Sequence, residues 1–591
     1  MYEHFDVNRL LQYEAYQDFS AEDFDMIIEE GLKLGREVLG PCNQDGDREG
    51  ARFEDGRVAT PASFKEAWRV MAENGWVSIT NNPEYGGQGL PFVVGGLISE
   101  FFTAANMAFM TYPGLTTANG RVIEHFGTDE DRALFCEKMY SGQWAGTMCL
   151  TEPDAGSDVG YLRSKAKPDP DSDDPRVYKI EGTKRFITCG EQDLTENIIH
   201  LVLARIEGAP MGTKGISLFI VPKIWVNPDG SLGDPNDVAC SGIEHKMGIH
   251  GSATCTLEFG ENGGCRGILL GEPHSGMAKM FQMMNEARVG CGVQALGLTA
   301  AAYDSARHYA AERVQGPLFT NRSGDRVRII EHEDVRRMLL NLKAGSEAMR
   351  ALLTKMFFLM DVAEHDPDEQ ERQKASRMVE LLTPLTKAYH SDFGYELIRD
   401  AIQVLGGVGY CSEFPVEQYA RDIKIVSIWE GTNYIQSLDL IGRKLPLEGG
   451  QVFQDWIQEV MDLTGAHKED PELGGDFKLL FKAAGIVGDF AGRFMNYFQD
   501  GRSQLIPLNA TKFLNCFAET ELARLLLDQA LIARDKLAQV DPDSSDARFY
   551  KGKIASAKHF CRNVLTNVYA RHKSLEQEDL TAAEVMEDIF V

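Results

Sequence analysis

Apolar positions early in the chain recur at helical spacing. Between Phe24 and Leu39, the residues Met26, Ile27, Leu32 and Val38 fall close to one face of a 3.6-residue repeat. Thr60-Pro61 reads as an N-cap followed by a first-turn proline, which predicts a helix running to Asn74. The run Tyr85-Gly86-Gly87-Gln88-Gly89-Leu90-Pro91 is too rich in glycine for an element interior and predicts a loop.

The period then changes. Val177 to Thr188, Ile198 to Ile206, Gly215 to Lys223 and Ser252 to Phe259 are short β-branched or apolar runs separated by Gly, Pro and Asp, the pattern of strands. Helical spacing returns at Gly276 and holds to about residue 445, with long segments at Met277–Arg313, Asp334–Glu364 and Glu371–Leu405. Gly449-Gly450 marks a boundary, and beyond it amphipathic segments at Phe477–Phe498, Thr511–Gln539 and Ala547–His572 follow, with Asp541-Pro542-Asp543-Ser544-Ser545 as an interhelix loop. The expected organisation is α+β: helical over 1–145, β over 146–275, a helical bundle over 276–450, and a further helical domain over 451–591.

Composition narrows the partners. A length of 591 residues exceeds what one core supports. The formal net charge of -29 argues against a nucleic-acid backbone or an anionic membrane as partner, because both select clustered Lys and Arg. The 11 cysteines are odd in number and never form Cys-x-x-Cys, which speaks against a disulfide scaffold or a zinc or iron–sulfur site and for a reducing compartment. The start, Met-Tyr-Glu-His-Phe-Asp, lacks a signal peptide's basic and apolar regions, and no stretch reads as a bilayer span. The expectation from these features is a cytoplasmic protein without membrane insertion.

Common redox and hydrolase motifs are missing. No Gly-x-Gly-x-x-Gly follows a strand, and the nearest approach, Gly290-x-Gly292-x-x-Ala295, lies inside a helical pattern. Walker A, His-Glu-x-x-His and Gly-x-Ser-x-Gly are absent too. Three other segments suit a ligand. In Met148-Cys149-Leu150-Thr151-Glu152-Pro153-Asp154-Ala155-Gly156-Ser157-Asp158 an apolar strand gives way to a turn that offers N–H groups and hydroxyls. Lys184-Arg185-Phe186-Ile187-Thr188 is a strand end with an aromatic ring and a hydroxyl. The third runs from Gln403-Val404-Leu405-Gly406-Gly407-Val408-Gly409-Tyr410 to Ile428-Trp429-Glu430-Gly431-Thr432-Asn433.

In this order and domain pattern, these segments resemble the acyl-CoA dehydrogenase family. Ala287-Arg288-Val289 and Glu312-Arg313-Val314-Gln315-Gly316 extend the match, as does the interval from Gln403 to Glu430. Gly46-Asp47-Arg48-Glu49-Gly50, the glycine-rich run from Glu84 to Pro91, Ala105-Asn106-Met107-Ala108-Phe109 and the C-terminal extension resemble the long branch typified by 3-methylmercaptopropionyl-CoA dehydrogenase. The resemblance implies an N-terminal helical domain, a central β-barrel domain and a helical bundle, with an extra helical domain after them. It also implies FAD as cofactor and α,β-dehydrogenation of an acyl-CoA thioester.

Carried over by position, the resemblance makes Glu430 the base that removes the α-proton, with its N–H holding the thioester carbonyl. Met148, Leu150, Thr151, Gly156 and Ser157 would border the flavin, and Ser157 would also reach the CoA side. Phe186 and Thr188 would flank the ring system, with Phe standing where the family usually has Trp. Arg313, Gln315, Gln403, Gly406 and Gly407 would bind the pyrophosphate and adenosine of a neighbouring subunit's FAD, which implies a homodimer or higher homo-oligomer. Thr432 and Asn433 would close the flavin site, and Asn285 and Arg288 would contact CoA. The family's other position for a base precedes Arg288 and is here Ala287; Glu286 is one helical residue, about 100°, away from it. Electrons would pass to electron-transfer flavoprotein. The alternatives are an oxidase using dioxygen, and a non-catalytic relative, against which the retained Glu430 and the acidic C-terminal segment both argue.

Overall fold

The computed structural model describes residues 1–591. It forms two compact units, Glu22–Ala287, and Met1–Ala21 together with Arg288–Val591.

The Glu22–Ala287 unit begins with helices at Ala21–Leu34, Pro41–Glu49, Ala62–Glu73, Phe92–Phe126 and Asp129–Tyr140. Thr128 and Asp131 open the last of these with a reciprocal capping box, which satisfies two otherwise orphaned N–H groups. Thr60 does not cap the helix at Ala62. Pro61 holds the cap position; the Thr60 N–H and hydroxyl both donate to Asp193, at 3.0 and 2.7 Å, and the first helical N–H, of Ala62, donates to the Glu49 carboxylate at 3.0 Å. The expectation that no stretch is long and apolar enough to span a bilayer fails for Phe92–Phe126. This helix of 35 residues meets that test by length and composition, but 61% of its apolar window is buried inside the protein. It is a core helix: Asn119 on it donates to the carbonyls of Thr147 (2.9 Å) and Ile199 (2.8 Å) in the sheet.

A small hairpin, β1 (Arg52–Glu54) and β2 (Arg57–Ala59), precedes the main sheet. The strands that follow are β3 (Trp144–Cys149), β4 (Lys165–Pro168), β5 (Val177–Thr188), β6 (Asn197–Ile206), β7 (Ile216–Pro222), β8 (Ile224–Val226), β9 (Leu232–Pro235), β10 (Val238–Ile243), β11 (Thr254–Phe259) and β12 (Arg266–Leu269). β4 pairs with both β5 and β6, β6 with β7, β7 with β12 and β12 with β5, so the pairings close into a ring. The far half of β5 leaves that ring and pairs with β11, which pairs with β10. Alternation along the strands explains their near-continuous apolar sequence. Leu201 and Leu203 on β6, with Leu218 and Ile220 on β7, pack into one core, while Val202, Ala204, Phe219 and Val221 pack into another. Both faces are buried, and an unbroken apolar run is the result.

The second unit is helical. Its long elements are Gly276–Glu312, shared with the first unit, then Glu333–His365, Glu369–Pro384 and His390–Leu405. The segment expected as one helix over Glu371–Leu405 is interrupted by a π turn at Leu385–Tyr389, directly after Pro384. Proline removes a helical N–H and crowds the preceding turn, and a wider turn accommodates both effects. Met1–Ala21 packs with this unit, where Tyr13 and Tyr16 donate to Asp366 (2.6 Å) and Asp361 (2.8 Å).

After Gly450 come helices at Gln451–His467, Gly474–Gln499, Leu505–Leu537, Ser545–Asn563 and Asn567–Leu575. The first was not foreseen, and the segment expected over Ala547–His572 is two helices broken at Val564–Thr566. A buried charge network joins this extension to the bundle. Glu521 accepts from Lys355 (2.9 Å), from the Trp456 indole (2.8 Å) and twice from Arg524 (2.8 Å each). Removing the carboxylate strands two buried cations. Glu521→Leu is therefore expected to cost about 3–5 kcal/mol and to lower the melting temperature clearly. Thermal unfolding of the purified variant checks this, and an unchanged midpoint contradicts it.

Candidate active site

Glu430 lies between a short helical turn at Ile425–Ser427 and the helix Asn433–Asp439. Its backbone is left-handed (φ 57°), and Gly431 follows at φ 81°. A glutamate in that conformation costs roughly 1–2 kcal/mol, so something must hold it there. Two buried side chains do. Arg288 Nε and Gln436 Nε2 donate to the Glu430 carbonyl at 3.3 and 3.2 Å. Arg288 is held in turn by Asp439 at 3.5 Å. The Glu430 N–H donates to no acceptor within the protein. Thr432 caps the helix after the loop by accepting from the Ile435 N–H.

The carboxyl of Glu430 is pushed up to about 7, chiefly because surrounding protein strips water from its charged form; Arg288 and then Lys387 oppose that rise. Lys387 sits in the π turn, wholly buried, and donates to Asn433 Oδ1 at 2.9 Å. Asn433 Nδ2 donates to the Ala388 carbonyl (3.1 Å) and to Ser391 Oγ (2.9 Å). Asn433, expected to close the flavin site, has its side chain hydrogen-bonded to the π turn and to Ser391. This buried lysine was overlooked in the sequence, although a lone cation inside the apolar run Leu385-Thr386-Lys387-Ala388-Tyr389 was a usable signal.

A second group of expected residues gathers in the Glu22–Ala287 unit. Met148 lies on β3, with buried Leu150 and half-buried Thr151 just past its end and Gly156 and Ser157 exposed in the turn. The turn is tied to β5 by a buried ion pair: Lys184 Nζ donates to Glu152 at 2.7 Å and to the Leu150 carbonyl at 3.1 Å. Glu152 also accepts from the N–H groups of Arg163 and Ser164, at 2.6 and 3.1 Å. The Arg185 N–H donates to the Thr151 carbonyl at 2.9 Å, which registers the two segments. Phe186, two residues on from Lys184, has φ 59° and is 56% exposed, with the Arg185 guanidinium 4.9 Å from its ring centroid. Thr188 ends β5 opposite Thr254.

Arg313, Gln315, Gln403, Gly406 and Gly407 are exposed on the helical unit. Arg313 and Gln315 follow the helix Gly276–Glu312, where Val314 bridges Arg328 and Gly316 turns at φ 64°. Gln403, Gly406 and Gly407 end the helix His390–Leu405, with Gly406 at φ 67°. A Cβ at Gly406 or Gly407 would meet no atom within 4 Å; the positive φ of Gly406 calls for glycine, but nothing in the fold alone demands one at Gly407. Asn285 is half-buried on the helix Gly276–Glu312.

Family profiles match this chain from residue 34 to 586: the acyl-CoA dehydrogenase N-terminal domain at 34–143, its middle domain at 147–261, its C-terminal domain at 274–445, and an acetyl-CoA dehydrogenase C-terminal-like domain at 453–586. A butyryl-CoA dehydrogenase of Syntrophomonas wolfei is 41% identical over 99% of this chain and 97% of its own. The chain belongs to the acyl-CoA dehydrogenase family. A 3-methylmercaptopropionyl-CoA dehydrogenase of Ruegeria pomeroyi is 36% identical over 95% of this chain and 94% of its own. The fold also matches the crystal structure of an acyl-CoA dehydrogenase complexed with FAD from Bacillus anthracis, with a TM-score of 0.75 at 22% identity over 98% of this chain and 92% of that one.

For this acyl-CoA dehydrogenase-family chain, the acidic neighbour of the rival base position is occupied elsewhere. Glu286 lies 3.6 Å from Arg121, which also donates to the Thr80 carbonyl and hydroxyl at 3.2 and 3.1 Å. Glu430 has no such direct ion pair and is expected to titrate near neutrality. An infrared difference titration of wild type against Glu430→Gln tests this. The protonated-carboxyl band should persist well above the ordinary glutamate range of about 4.3 and fade as pH rises through about 7. Its loss by about pH 5 would contradict the assignment.

Proposed function

We propose that this protein is an FAD-dependent acyl-CoA dehydrogenase in which Glu430 removes the α-proton of an acyl thioester. The observation that carries this reading is the Glu430 loop: a carboxyl tuned close to neutrality, beside its own N–H with no protein acceptor. A base matched to working pH moves the proton most effectively, and a donor aimed at the thioester oxygen stabilises the charge that develops there. Arg288 and Gln436 keep the Glu430 carbonyl turned away, so N–H and carboxyl stay available together.

The residues present fit FAD. Phe186 offers an exposed aromatic face for a planar ring, and the turn at Thr151–Ser157 is tied to β5 by the Glu152–Lys184 pair. Gly406 and Gly407 leave open space where side chains would otherwise stand, which suits close backbone approach by a ligand. When bound, FAD would supply the two-electron acceptor that takes up the β-hydrogen. In this reading Met148, Leu150, Thr151, Gly156, Ser157, Phe186, Thr188 and Thr432 border it. Arg313, Gln315, Gln403, Gly406 and Gly407 reach the cofactor of a neighbouring subunit in a homo-oligomer. Ser157, Asn285 and Arg288 serve the CoA side, with Arg288 acting mainly through Glu430. Electron-transfer flavoprotein is the electron acceptor, and the cytoplasm the location; eleven free cysteines fit a reducing compartment. The four-segment division at 145, 275 and 450 is retained as a functional one.

The substrate we propose is a short, unbranched acyl chain. Two relatives spanning nearly all of this chain are named for butyryl and 3-methylmercaptopropionyl thioesters, both short and linear. Anaerobic bleaching of the flavin across an acyl-CoA panel should be fastest with four- or five-atom chains and slow with long or aromatic ones; fastest bleaching by a long chain refutes the substrate class. Glu430→Gln should stay yellow and bind acyl-CoA, with bleaching slowed by about 10²–10⁴-fold. Bleaching at the wild-type rate would remove Glu430 from the role of base. Turnover with electron-transfer flavoprotein should exceed turnover with dioxygen, and the reverse would make the protein an oxidase.

A further inference from the structure

Lys387 has a cost that its surroundings must explain. A fully buried ammonium is expensive to desolvate, and a neutral side chain of similar length would fill the same space. The fold nevertheless spends an irregular element on it. The π turn Leu385–Tyr389 carries Lys387, and Asn433, first residue of the helix after the Glu430 loop, accepts a hydrogen bond from its ammonium at 2.9 Å through Oδ1. Asn433 returns a hydrogen bond to the next residue of the turn through the Ala388 carbonyl, at 3.1 Å. Turn and loop are therefore joined by a closed pair of contacts.

The other end of the turn is braced from the C-terminal extension. The buried Tyr389 hydroxyl donates to Glu519 at 3.1 Å, and Arg571 donates to the second oxygen of the same carboxylate at 2.6 Å. Glu519 lies on the helix Leu505–Leu537 and Arg571 on Asn567–Leu575, both beyond Gly450. The π turn is thus hydrogen-bonded at one end to the extension and at the other to the helix that follows Glu430.

We infer that Lys387 is a positioning residue that keeps a positive charge behind the Glu430 loop, and that the C-terminal extension braces it through Glu519 and Tyr389. This rests on Glu430 being the base. The groups facing Lys387 are Cys291 and Arg288 from the helix Gly276–Glu312, Asp392 from His390–Leu405, and Glu430 itself. Burial lowers the Lys387 ammonium to about 8, against the opposing pull of Cys291, Glu430 and Asp392, so at neutral pH it is still charged. Its charge favours the carboxylate form of Glu430. Without it, Glu430 holds its proton to higher pH.

The test is the pH profile of anaerobic flavin bleaching in the flavin-loaded enzyme with butyryl-CoA as probe. Bleaching that needs ionised Glu430 rises with pH through the Glu430 transition. In Lys387→Met that acid limb should move up by about one pH unit, which slows bleaching about tenfold below the limb and much less above it. Lys387→Arg should return the limb toward its wild-type position. Tyr389→Phe, which removes only the brace, should move it in the same direction by less. Where the Met variant does not accumulate, Lys387→Gln replaces it. A Lys387→Met or Lys387→Gln limb at the wild-type pH overturns the inference, as does an Arg variant that behaves like Met. Glu430→Gln measured alongside separates the two ideas. If it bleaches normally, the base assignment fails; if it is inert while the lysine variants leave the limb unmoved, only the role of Lys387 fails.

Discussion

The carbonyl of Glu430 is the atom on which the candidate site turns. Held by Arg288 and Gln436, it fixes a left-handed glutamate that the chain would otherwise leave. The strain is of order 1–2 kcal/mol. Hydrogen bonds from a buried guanidinium and a buried amide are worth roughly that much between them, and Gly431 lets the next residue continue the turn. The loop is therefore stable only as part of its surroundings. Asp439, by holding Arg288, belongs to the same constraint.

Two buried lysines follow a common logic on separate elements. Lys184 anchors the turn after β3 through Glu152, and Lys387 anchors the helix after Glu430 through Asn433. Each ties a loop of unusual backbone to a regular element. A purely apolar contact would bury those loops equally well, but it would not fix their direction. The difference between the two is instructive. Lys184 meets a carboxylate and so forms a neutral pair, whereas Lys387 meets a neutral amide and leaves its charge uncancelled. An uncancelled buried charge acts on whatever ionisable group lies near it, and here that group is Glu430.

The sequence made the architecture legible because each region has one dominant period. β6 and β7 read as strands through their unbroken apolar runs, and the helices from Gly276 onward through their spacing. What it concealed was irregular. The π turn follows a proline that periodicity alone passes over, and the capping of Ala62–Glu73 was diverted because Asp193, distant in sequence, captured Thr60. The motif residues near Glu430 were legible as a set, but not their division of labour. Asn433 reads in the motif as a residue that closes the flavin site, and nothing in the motif announces that its side chain bonds Lys387, 46 positions away in the π turn. Contacts of that range carry no local signal.

The extension after Gly450 shows why its role also escaped the sequence. On the helix Leu505–Leu537, Glu519 and Glu521 are two residues apart, about 200° around the axis, and so point to opposite sides. Glu519 reaches Tyr389 in the π turn, while Glu521 reaches Lys355 on Glu333–His365. Both carboxylates are fully buried, so this helix runs through the interior rather than lying on a surface. A helix buried on all sides shows little amphipathic contrast, and its charges look in sequence like solvated ones. Their pairing makes the extension an inner wall of the bundle. Its removal would expose the π turn and leave Lys355 without its carboxylate and the Tyr389 hydroxyl without its acceptor, in keeping with the extension's place in the same folded unit as Glu430.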